Sequence, residues 1–192
     1  MVDEAPIVVG VSGASGAPIA VRVLEGLRSA GVPVALVVSS GGRAVLREEC
    51  GIEADALGKY ATDAYADDDL AAPIASGSRA TRGMVVVPCS SNTAARIALG
   101  LGETLLTRAA HVHLKERRPL VIVPRESPLP TTLLRHLTTL SELGVVVLDA
   151  APPYYLHPKS VQDQTDYLAG KVLDHLGVAH RLYRGWKAGG PG

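Results

Sequence analysis

The chain has 192 residues, of which 47% are hydrophobic and 20% charged, and this composition excludes a disordered chain or a collagen-like repeat. Nineteen Lys and Arg residues balance nineteen Asp and Glu residues, so the net charge offers no footprint for nucleic acid or for an anionic membrane. Two cysteines cannot form a disulfide framework, and no apolar run approaches the roughly 18 residues of a membrane span. We therefore expect one cytoplasmic domain over residues 1–192, with its core at about 7–176 and an extension at 177–192.

Five short runs are rich in β-branched residues and bounded by Gly, Pro or Ser, which is typical of buried strands. In chain order they span 7–11, 34–38, 84–87, 120–123 and 145–148. Segments with helical spacing alternate with them at 19–29, 43–49, 93–99, 105–115, 131–143 and 161–176. This alternation predicts an α/β fold, a three-layer Rossmann-like or flavodoxin-like parallel sheet with helices on both faces. Ligands in such folds bind beyond the carboxyl ends of the strands.

The first predicted strand leads into the small residues GVSGASG at 10–16, directly before a helix. Backbone N–H groups in such a turn surround an anion, and the helix N-terminus adds partial positive charge, so the turn is a candidate phosphate loop. It is neither a dinucleotide fingerprint, because residue 12 is Ser, nor a Walker loop, because no Gly-Lys-Ser/Thr follows. A tight turn without a ligand is the alternative. The SSGG run at 39–42 repeats this chemistry after the second strand, with a simple N-cap as its alternative.

Two further strand ends carry polar side chains. The third strand ends in PCSSNT at 88–93, which has more hydrogen-bonding side chains than one N-cap needs. The fourth ends at Pro124 and leads into Arg125 and Glu126, a fixed positive charge beside a carboxylate. An ordinary ion pair is the alternative for these two residues. Their position one strand end away from the candidate phosphate loops favours a functional role.

A basic cluster lies at Lys115, Arg117 and Arg118, and Arg108 lies seven residues before Lys115 on nearly the same helix face. The ordinary interpretation is a solvated face. The functional interpretation is recognition of a small phosphate ester, in which Arg supplies a bidentate fork and Lys a mobile point charge.

Three other features are interpreted as structural. The aspartates at 67–69 lack the spacing of a magnesium site and predict a solvated loop that caps the next segment. His111 and His113 point to different sides of a helix, so we predict no metal site. Cys89 has no cationic neighbour in the sequence that would activate its thiol.

The segments that carry these motifs are GVSGASGA, SSGGR, DLAAPIASGS, GMVVVPCSSNTAA, LLTRAAHVHLKERRPLVIVPRESPL and PPYYLHP. In this order they closely resemble the UbiX-type flavin prenyltransferases, over about residues 7–176. The resemblance implies a metal-independent enzyme that joins a dimethylallyl group from dimethylallyl (mono)phosphate to N5 and C6 of reduced FMN. It also implies a homo-oligomer, a dodecamer with active sites between subunits, and delivery of prenylated FMN to a UbiD-type decarboxylase. The pathway served, quinone biosynthesis or aromatic acid breakdown, stays open.

The resemblance also implies roles for individual residues. The expected FMN contacts are Gly13, Ala14, Ser15, Ser39, Ser90, Ser91, Asn92, Thr93 and Arg125. The expected ligands of the prenyl phosphate, some of them reaching in from a neighbouring subunit, are Arg108, Lys115, Tyr155 and Lys171. The expected catalytic residues, for proton handling and for stabilising the leaving phosphate, are Ser15, Glu49, Glu126 and Lys115. The expected aromatic wall around the prenyl group is formed by Tyr154 and Trp186.

The chain departs from the family pattern at four positions. Lys171 stands where many relatives have Arg, and Ser91 replaces a larger apolar residue. Arg79 replaces an aromatic residue, and His111 replaces an acidic one. These differences concern the cleft wall and the prenyl donor more than they concern flavin binding.

Two other functions are weighed against this one. An FMN-dependent cysteine decarboxylase of the same superfamily uses a histidine near its amino-terminal flavin loop, and residues 10–40 contain none. A non-catalytic flavin carrier would have no use for Lys115, Tyr155 and Lys171 together.

Overall fold

The computed structural model describes residues 5–185, and their strands form one six-stranded sheet. The strands are β1 (Ile7–Val11), β2 (Val34–Val38), β3 (Asp63–Tyr65), β4 (Gly83–Cys89), β5 (Leu120–Pro124) and β6 (Val146–Val147). Every neighbouring pair is parallel, in the order β3-β2-β1-β4-β5-β6. The prediction of a parallel α/β sheet is confirmed.

Helices connect the strands, as the spacing of apolar residues predicts. They are α1 (Ala17–Ser29), α2 (Ser40–Cys50), α3 (Ser91–Ala98), α4 (Leu105–Lys115), α5 (Thr131–Glu142) and α6 (Val161–His175). Short 3-10 turns span Ala54–Tyr60, Pro73–Ala75 and Tyr154–Leu156. Within residues 5–185, none of the helices has the length and apolar character needed to cross a bilayer.

Apolar side chains on the two faces of the sheet form two separate cores. Along β1, Ile7 and Val9 point to the face covered by α1 and α6, and Val8 points to the face covered by α3, α4 and α5. This alternation produces the three predicted layers. The packing is dense enough that truncating a side chain such as Leu106, which is 1% exposed, to Ala costs about 2–5 kcal/mol.

One strand, at an edge of the sheet, was not predicted, and the bounds of three others differ from the prediction. The central strand β4 begins one residue before and ends two residues after the predicted 84–87, and β5 ends one residue later than predicted. β3 was not predicted, because its sequence Asp-Ala-Tyr has no apolar run and its residues are no more than half-buried. β6 covers two residues of the four predicted. An edge strand has a neighbour on one side only, so its sequence carries a weaker signal than a central strand does.

The strand order places a crevice beside β1. The chain proceeds from β1 to β2 on one side and returns to β4 on the other, so the connections leave the sheet in opposite directions between β1 and β4. This is the switch point at which doubly wound sheets bind their ligands.

Candidate active site

A cavity of about 390 Å³ opens at this crevice, beyond the carboxyl ends of β1, β2 and β4. Five of the residues expected to contact flavin line it, namely Gly13, Ser39, Ser90, Asn92 and Thr93. Ser40 and Gly41, which belong to the SSGG run proposed as a second phosphate turn, also line it. The sequence pattern does not mark the remaining lining residues as ligand contacts, and these are Asp67, Arg96, Thr104, Leu106 and Thr107. The rim is therefore rich in hydroxyl groups.

Two glycines bring the loops after β1 and β2 into contact at the rim. A Cβ on Gly13 would lie 2.9 Å from the Cα of Gly41, and a Cβ on Gly41 would lie 2.9 Å from the Cα of Gly13. Real Cβ atoms do not approach backbone this closely, so both positions require glycine. The backbones of Gly13 and Gly41 meet without an intervening side chain and form a glycine cradle that lines the cavity.

Ser12 joins the loops after β1 and β4. Its hydroxyl donates to the carbonyl of Pro88 at 2.9 Å and accepts from the amide of Ser90 at 2.8 Å. The residue is only 1% exposed, so these hydrogen bonds are shielded from water. Ser12 thereby sets the spacing of the two turns that border the cavity. The sequence marks position 12 only as a departure from a glycine fingerprint.

Three helices begin at the cavity with hydroxyl caps. Ser39 accepts from the amide of Gly42 at the start of α2, and Ser90 accepts from Thr93 at the start of α3. Thr104 caps α4 by accepting from Thr107. The N-cap alternative for the SSGG run is thus correct, and the capped ends also face the cavity. Helix N-termini carry partial positive charge, so their convergence favours an anion.

Asp67 is a cap for α4. Its carboxylate accepts from the amide of Leu106 at 2.9 Å, and its carbonyl accepts from Leu105 at 2.7 Å. The aspartate run was predicted to cap the next segment, and Asp67 instead caps the more distant helix α4. The capped helix lies 38 residues further along the chain, because the loop folds across the carboxyl edge of the sheet.

The N-terminus of α1 is filled by a carboxylate of the chain itself. Glu49 accepts from the amides of Gly16 and Ala17, at 2.8 Å each. Burial acts to raise the pKa of Glu49, whereas the hydrogen bonds from the Gly16 amide and the Ser15 hydroxyl act to lower it. The Ala17 amide and the charge of Arg125 add to the lowering, so the pKa lies below its usual value. These α1 amides therefore bind Glu49 rather than the phosphate that the sequence suggests for them.

Several predicted residues gather beside this carboxylate. Ser15 and Arg125 act on Glu49, and Ser91 donates a hydrogen bond to Glu126 at 2.8 Å. The structure thus brings predicted catalytic and flavin-contacting residues together on the α1 side of the crevice. An ionised carboxylate next to a hydroxyl can accept and relay a proton.

Two of the expected phosphate ligands lie at α6. Lys171 is a residue of this helix, and Tyr155, in the 3-10 turn before it, packs against the helix. The ring of Tyr155 meets that of Tyr167 edge to face, with centroids 6.4 Å apart. The hydrogen bond to Tyr155, together with burial, raises the pKa of Tyr167 to about 12. Lys171 lies 3.9 Å from a carboxylate oxygen of Asp174.

Of the two predicted wall residues, Tyr154 is not among the residues that line the cavity. Tyr154 is 77% exposed, at the start of the short turn before α6. Trp186 lies outside the described residues 5–185.

Arg108 and Lys115 also lie away from the cavity of their own chain. Arg108 donates to the carbonyl of Ala75 at 3.0 Å, and Lys115 pairs with Glu116 at 2.5 Å. Thr107 lines the cavity, and Lys115 follows eight residues later, which is about 12 Å along a helix. A single chain therefore does not unite the four expected phosphate ligands.

Two features bear on other kinds of chemistry. Residues 5–185 contain no group of three or more His, Cys, Asp or Glu side chains placed to hold a metal ion. Complete burial raises the pKa of the Cys89 thiol to about 12, which disfavours a reactive thiolate.

Comparison with known sequences gives consistent results. The sequence model of a family described as Flavoprotein matches residues 1–173. Flavin prenyltransferase UbiX of Thermoplasma acidophilum is 48% identical over 180 residues, which cover 94% of this chain and 99% of that protein. Flavin prenyltransferase UbiX of Streptomyces coelicolor is 45% identical over 205 residues, with 95% of each chain covered.

Solved structures show the same likeness. The dodecameric FMN-dependent UbiX-like decarboxylase from Escherichia coli O157:H7 has a TM-score of 0.92 at 40% identity, covering 94% of this chain and 98% of that chain. AnUbiX (PadA1), solved in complex with FMN and dimethylallyl pyrophosphate, has a TM-score of 0.90 at 36% identity, covering 95% and 99%. The FMN-dependent cysteine decarboxylase TvaF has a TM-score of 0.66 at 16% identity, a likeness of fold alone.

Proposed function

The chain belongs to the Flavoprotein family and, within it, to the UbiX-type flavin prenyltransferases, and we propose that its reaction takes place at the cavity between β1, β2 and β4. The reaction transfers a dimethylallyl group from dimethylallyl monophosphate to N5 and C6 of reduced FMN. The observation that carries this proposal is the convergence of the serine-capped N-termini of α2 and α3 on a cavity lined by the glycine cradle.

The residues of the cavity fit FMN. Gly13 and Gly41 allow the segments after β1 and β2 to meet at the cavity without an intervening side chain. Ser39, Ser90 and Thr93 supply hydroxyls and helix N-termini for the FMN phosphate. Arg96 lies at the same rim and pairs with Glu103 at 3.1 Å. Asn92 lies in the same lining. The remaining proposed contacts are Ala14, Ser15, Ser91 and Arg125.

The proposed donor site combines residues of two subunits. Tyr155 and Lys171 would hold the donor phosphate from one chain, and Lys115 and Arg108 would reach it from a neighbour, since they lie away from their own cavity. When bound, reduced FMN supplies the N5 and C6 atoms that accept the five-carbon unit. The leaving phosphate gains negative charge as its bond to carbon breaks, so fixed cationic and hydroxyl donors stabilise the transition state more than the substrate. Tyr154 and Trp186 are proposed to shield the prenyl group.

Ring closure onto C6 releases a proton from carbon. Glu49 is proposed to accept this proton through Ser15, whose hydroxyl hydrogen-bonds to the ionised carboxylate. Glu126 is proposed as a second proton carrier, and its hydrogen bond from Ser91 orients it.

The biological setting is part of the proposal. The E. coli relative is described as dodecameric, and an assembly of that kind would bring Lys115 to a neighbouring cavity. We propose that the prenylated FMN passes to a UbiD-type decarboxylase in the cytoplasm. We also propose that residues 1–192 form a single flavoprotein domain, with 7–176 as its core.

The direct test is an anaerobic incubation of the protein with reduced FMN and dimethylallyl monophosphate, with the diphosphate as a parallel arm. Mass spectrometry should find a flavin heavier by one five-carbon unit, with the monophosphate as the better donor. Recovery of unmodified FMN alone, from protein that binds FMN and the donor, would contradict prenyl transfer and favour a flavin carrier.

Lys115→Ala tests the shared donor site. The substitution removes a transition-state contact, so turnover should fall about 100-fold while FMN affinity changes less than about twofold. Arg135→Ala, which removes an exposed charge from α5, is the matched control and should leave both quantities unchanged. Equal losses of turnover and FMN affinity would move Lys115 into the flavin site or into the fold.

A further inference from the structure

A cluster of polar side chains surrounds Asp174 at the end of α6. Its carboxylate accepts hydrogen bonds from the Tyr183 hydroxyl and from Nε2 of His180, the latter at 3.0 Å. Lys171 lies 3.9 Å away, one turn earlier on the same helix. Tyr167 lies one further turn back, so Tyr167, Lys171 and Asp174 share one face of α6. None of the roles proposed above uses Asp174, His180 or Tyr183.

The hydrogen bonds fix the orientation of His180. Its Nδ1 accepts from the backbone amide of Leu182 at 3.1 Å, so in the neutral ring Nε2 carries the proton and donates it to Asp174. The His180 side chain is only 9% exposed. The hydrogen bond between His180 and Asp174 therefore joins α6 to the segment that follows it.

Gly170 allows this segment to pack onto α6. A Cβ at this position would lie 2.5 Å from a ring carbon of Tyr183 and 2.8 Å from a ring carbon of His180. The Tyr183 ring also packs against Tyr167, with centroids 4.9 Å apart. Because Tyr167 contacts Tyr155, the residues after α6 are linked to both proposed phosphate ligands of this chain.

The pKa of Asp174 is lowered, which favours a cationic neighbour. Burial acts to raise the pKa of Asp174, but the hydrogen bonds from Tyr183 and His180 and the charges nearby outweigh it, so the pKa is lowered. The carboxylate is thus ionised at neutral pH. The same two donors share its negative charge, which weakens the repulsion that it would exert on a phosphate bound at Lys171.

We propose that Asp174, held by His180 and Tyr183, is a positioning residue that orients the Lys171 ammonium for the donor phosphate. A lysine ammonium is a point charge on a flexible stem and lacks the rigid fork of an arginine guanidinium. Lysine at this position therefore depends on a fixed anion to define where its charge lies. This inference rests on the proposed role of Lys171 in donor binding.

Asp174→Asn tests the inference, because it removes the charge and keeps the size of the side chain. The KM for dimethylallyl monophosphate should rise about fivefold, with kcat and FMN affinity within about twofold of the wild type. Asp166→Asn is the matched control, since it removes an α6 carboxylate that pairs with Arg22 instead, and it should leave the KM unchanged. A KM that stays the same or falls in Asp174→Asn would overturn the inference, because it would show that Asp174 is idle or competes with the phosphate for Lys171.

A double-mutant cycle separates positioning from a general structural role. In a Lys171→Met background, Asp174→Asn should raise the KM by less than about 1.5-fold, since its effect passes through Lys171. Additive effects of the two substitutions would overturn the inference. Tyr183→Phe, which keeps the ring on Gly170 and loses the hydroxyl donor, should raise the KM about twofold.

Direct binding keeps the inference separate from the proposed reaction. Calorimetric titration of the FMN-loaded protein with dimethylallyl monophosphate should give a Kd that rises about fivefold in Asp174→Asn. If the wild type bound the donor and formed no prenylated flavin, prenyl transfer would fail while this Kd shift still supported positioning. If the wild type formed the product and the Kd did not move, only positioning would fail.

Discussion

The N-terminus of α1 and the N-termini of α2 and α3 lie at the same edge of the sheet but are completed in different ways. At α1, the amides of Gly16 and Ala17 both bind the carboxylate of Glu49. At α2 and α3, the serine hydroxyls of Ser39 and Ser90 cap the helix, and the capped ends face a cavity of about 390 Å³. The fold provides positive helix ends at the strand connections, and a carboxylate of the chain itself occupies the end of α1 but not those of α2 and α3.

This difference separates the proposed roles of the two sides. The α1 side holds a fixed, ionised carboxylate beside the Ser15 hydroxyl, and these are the groups proposed to carry the proton. The α2 and α3 sides have neutral hydroxyls and a glycine cradle, which suit the phosphate and ring of a flavin. A glycine-rich turn after a strand is thus insufficient to locate a phosphate, because a residue far away in sequence can take its place.

Gly41→Ala, on the α2 side of the crevice, should have the largest effect on FMN affinity and on stability. The new Cβ would lie 2.9 Å from the Cα of Gly13, so the two loops must separate and the cradle must widen. We expect FMN affinity to fall at least tenfold and stability to fall by about 1–3 kcal/mol, as for other overpacked sites. Flavin fluorescence titration and denaturant unfolding measure the two quantities.

Gly58→Ala is the control for this substitution. An added Cβ at Gly58 meets nothing within 4 Å, so both FMN affinity and stability should stay at the wild-type values. Wild-type FMN affinity in Gly41→Ala would show that flavin does not approach this cradle.

Ser12→Ala should have an intermediate effect on stability and on FMN affinity. Ser12 fixes the distance between the turn after β1, on the α1 side, and the turn after β4, on the α3 side. Loss of the hydroxyl leaves the buried amide of Ser90 without this acceptor and should cost about 1–3 kcal/mol of unfolding free energy. FMN affinity should fall about threefold, because the hydrogen bond from the Ser90 amide to Ser12 no longer holds the Ser90 turn in position. Ser40→Ala at the same rim is exposed and should be neutral in stability. A neutral Ser12→Ala would mean that the two turns are held by the rest of the fold.

Glu49→Gln should have the smallest effect on stability, and that effect should depend on pH. The folded-state pKa of Glu49 is lowered, so its stabilising contribution is present above the ordinary pKa of 4.5 and is lost as the pH falls through the folded-state value. At pH 7 the variant should be less stable by about 0.5–1 kcal/mol, and the difference should disappear in acid. Denaturant unfolding of both proteins from pH 7 to pH 3 measures this difference. A difference that persists in acid would mean that Glu49 acts through packing rather than through its charge.

The central features of the fold follow from sequence pattern, and the edges do not. The apolar runs of β1, β2, β4 and β5 predict a parallel sheet, because a strand covered on both faces must be apolar throughout. β3 escapes prediction because Asp63–Tyr65 is half-buried and paired only with β2. The spacing of apolar residues predicts that α2 begins at 43, three residues after its actual start at Ser40, because Gly41 and Gly42 are typical of a loop. Both glycines lie in the first turn of α2, and a Cβ on Gly42 would meet the carbonyl oxygen of Val11 at 2.3 Å.

The site was predictable where its residues lie next to strand ends. Gly13, Ser39 and Ser90 follow strands directly, so their convergence is implied by the topology. Contacts between distant segments leave no such signal. The capture of the α1 amides by Glu49, 33 residues on, and the hydrogen bond between His180 and Asp174 depend on how helices pack, and a linear pattern does not record this.

The most direct test of the account is a crystal structure of the protein with FMN and dimethylallyl monophosphate bound together. The account predicts two separate anions at one edge of the sheet. The FMN phosphate should lie against the Ser39 and Ser90 turns, the donor phosphate should lie against Tyr155 and Lys171, and Glu49 should remain on the α1 amides. A single anion position, or an FMN phosphate that displaces Glu49 from Gly16 and Ala17, would contradict it.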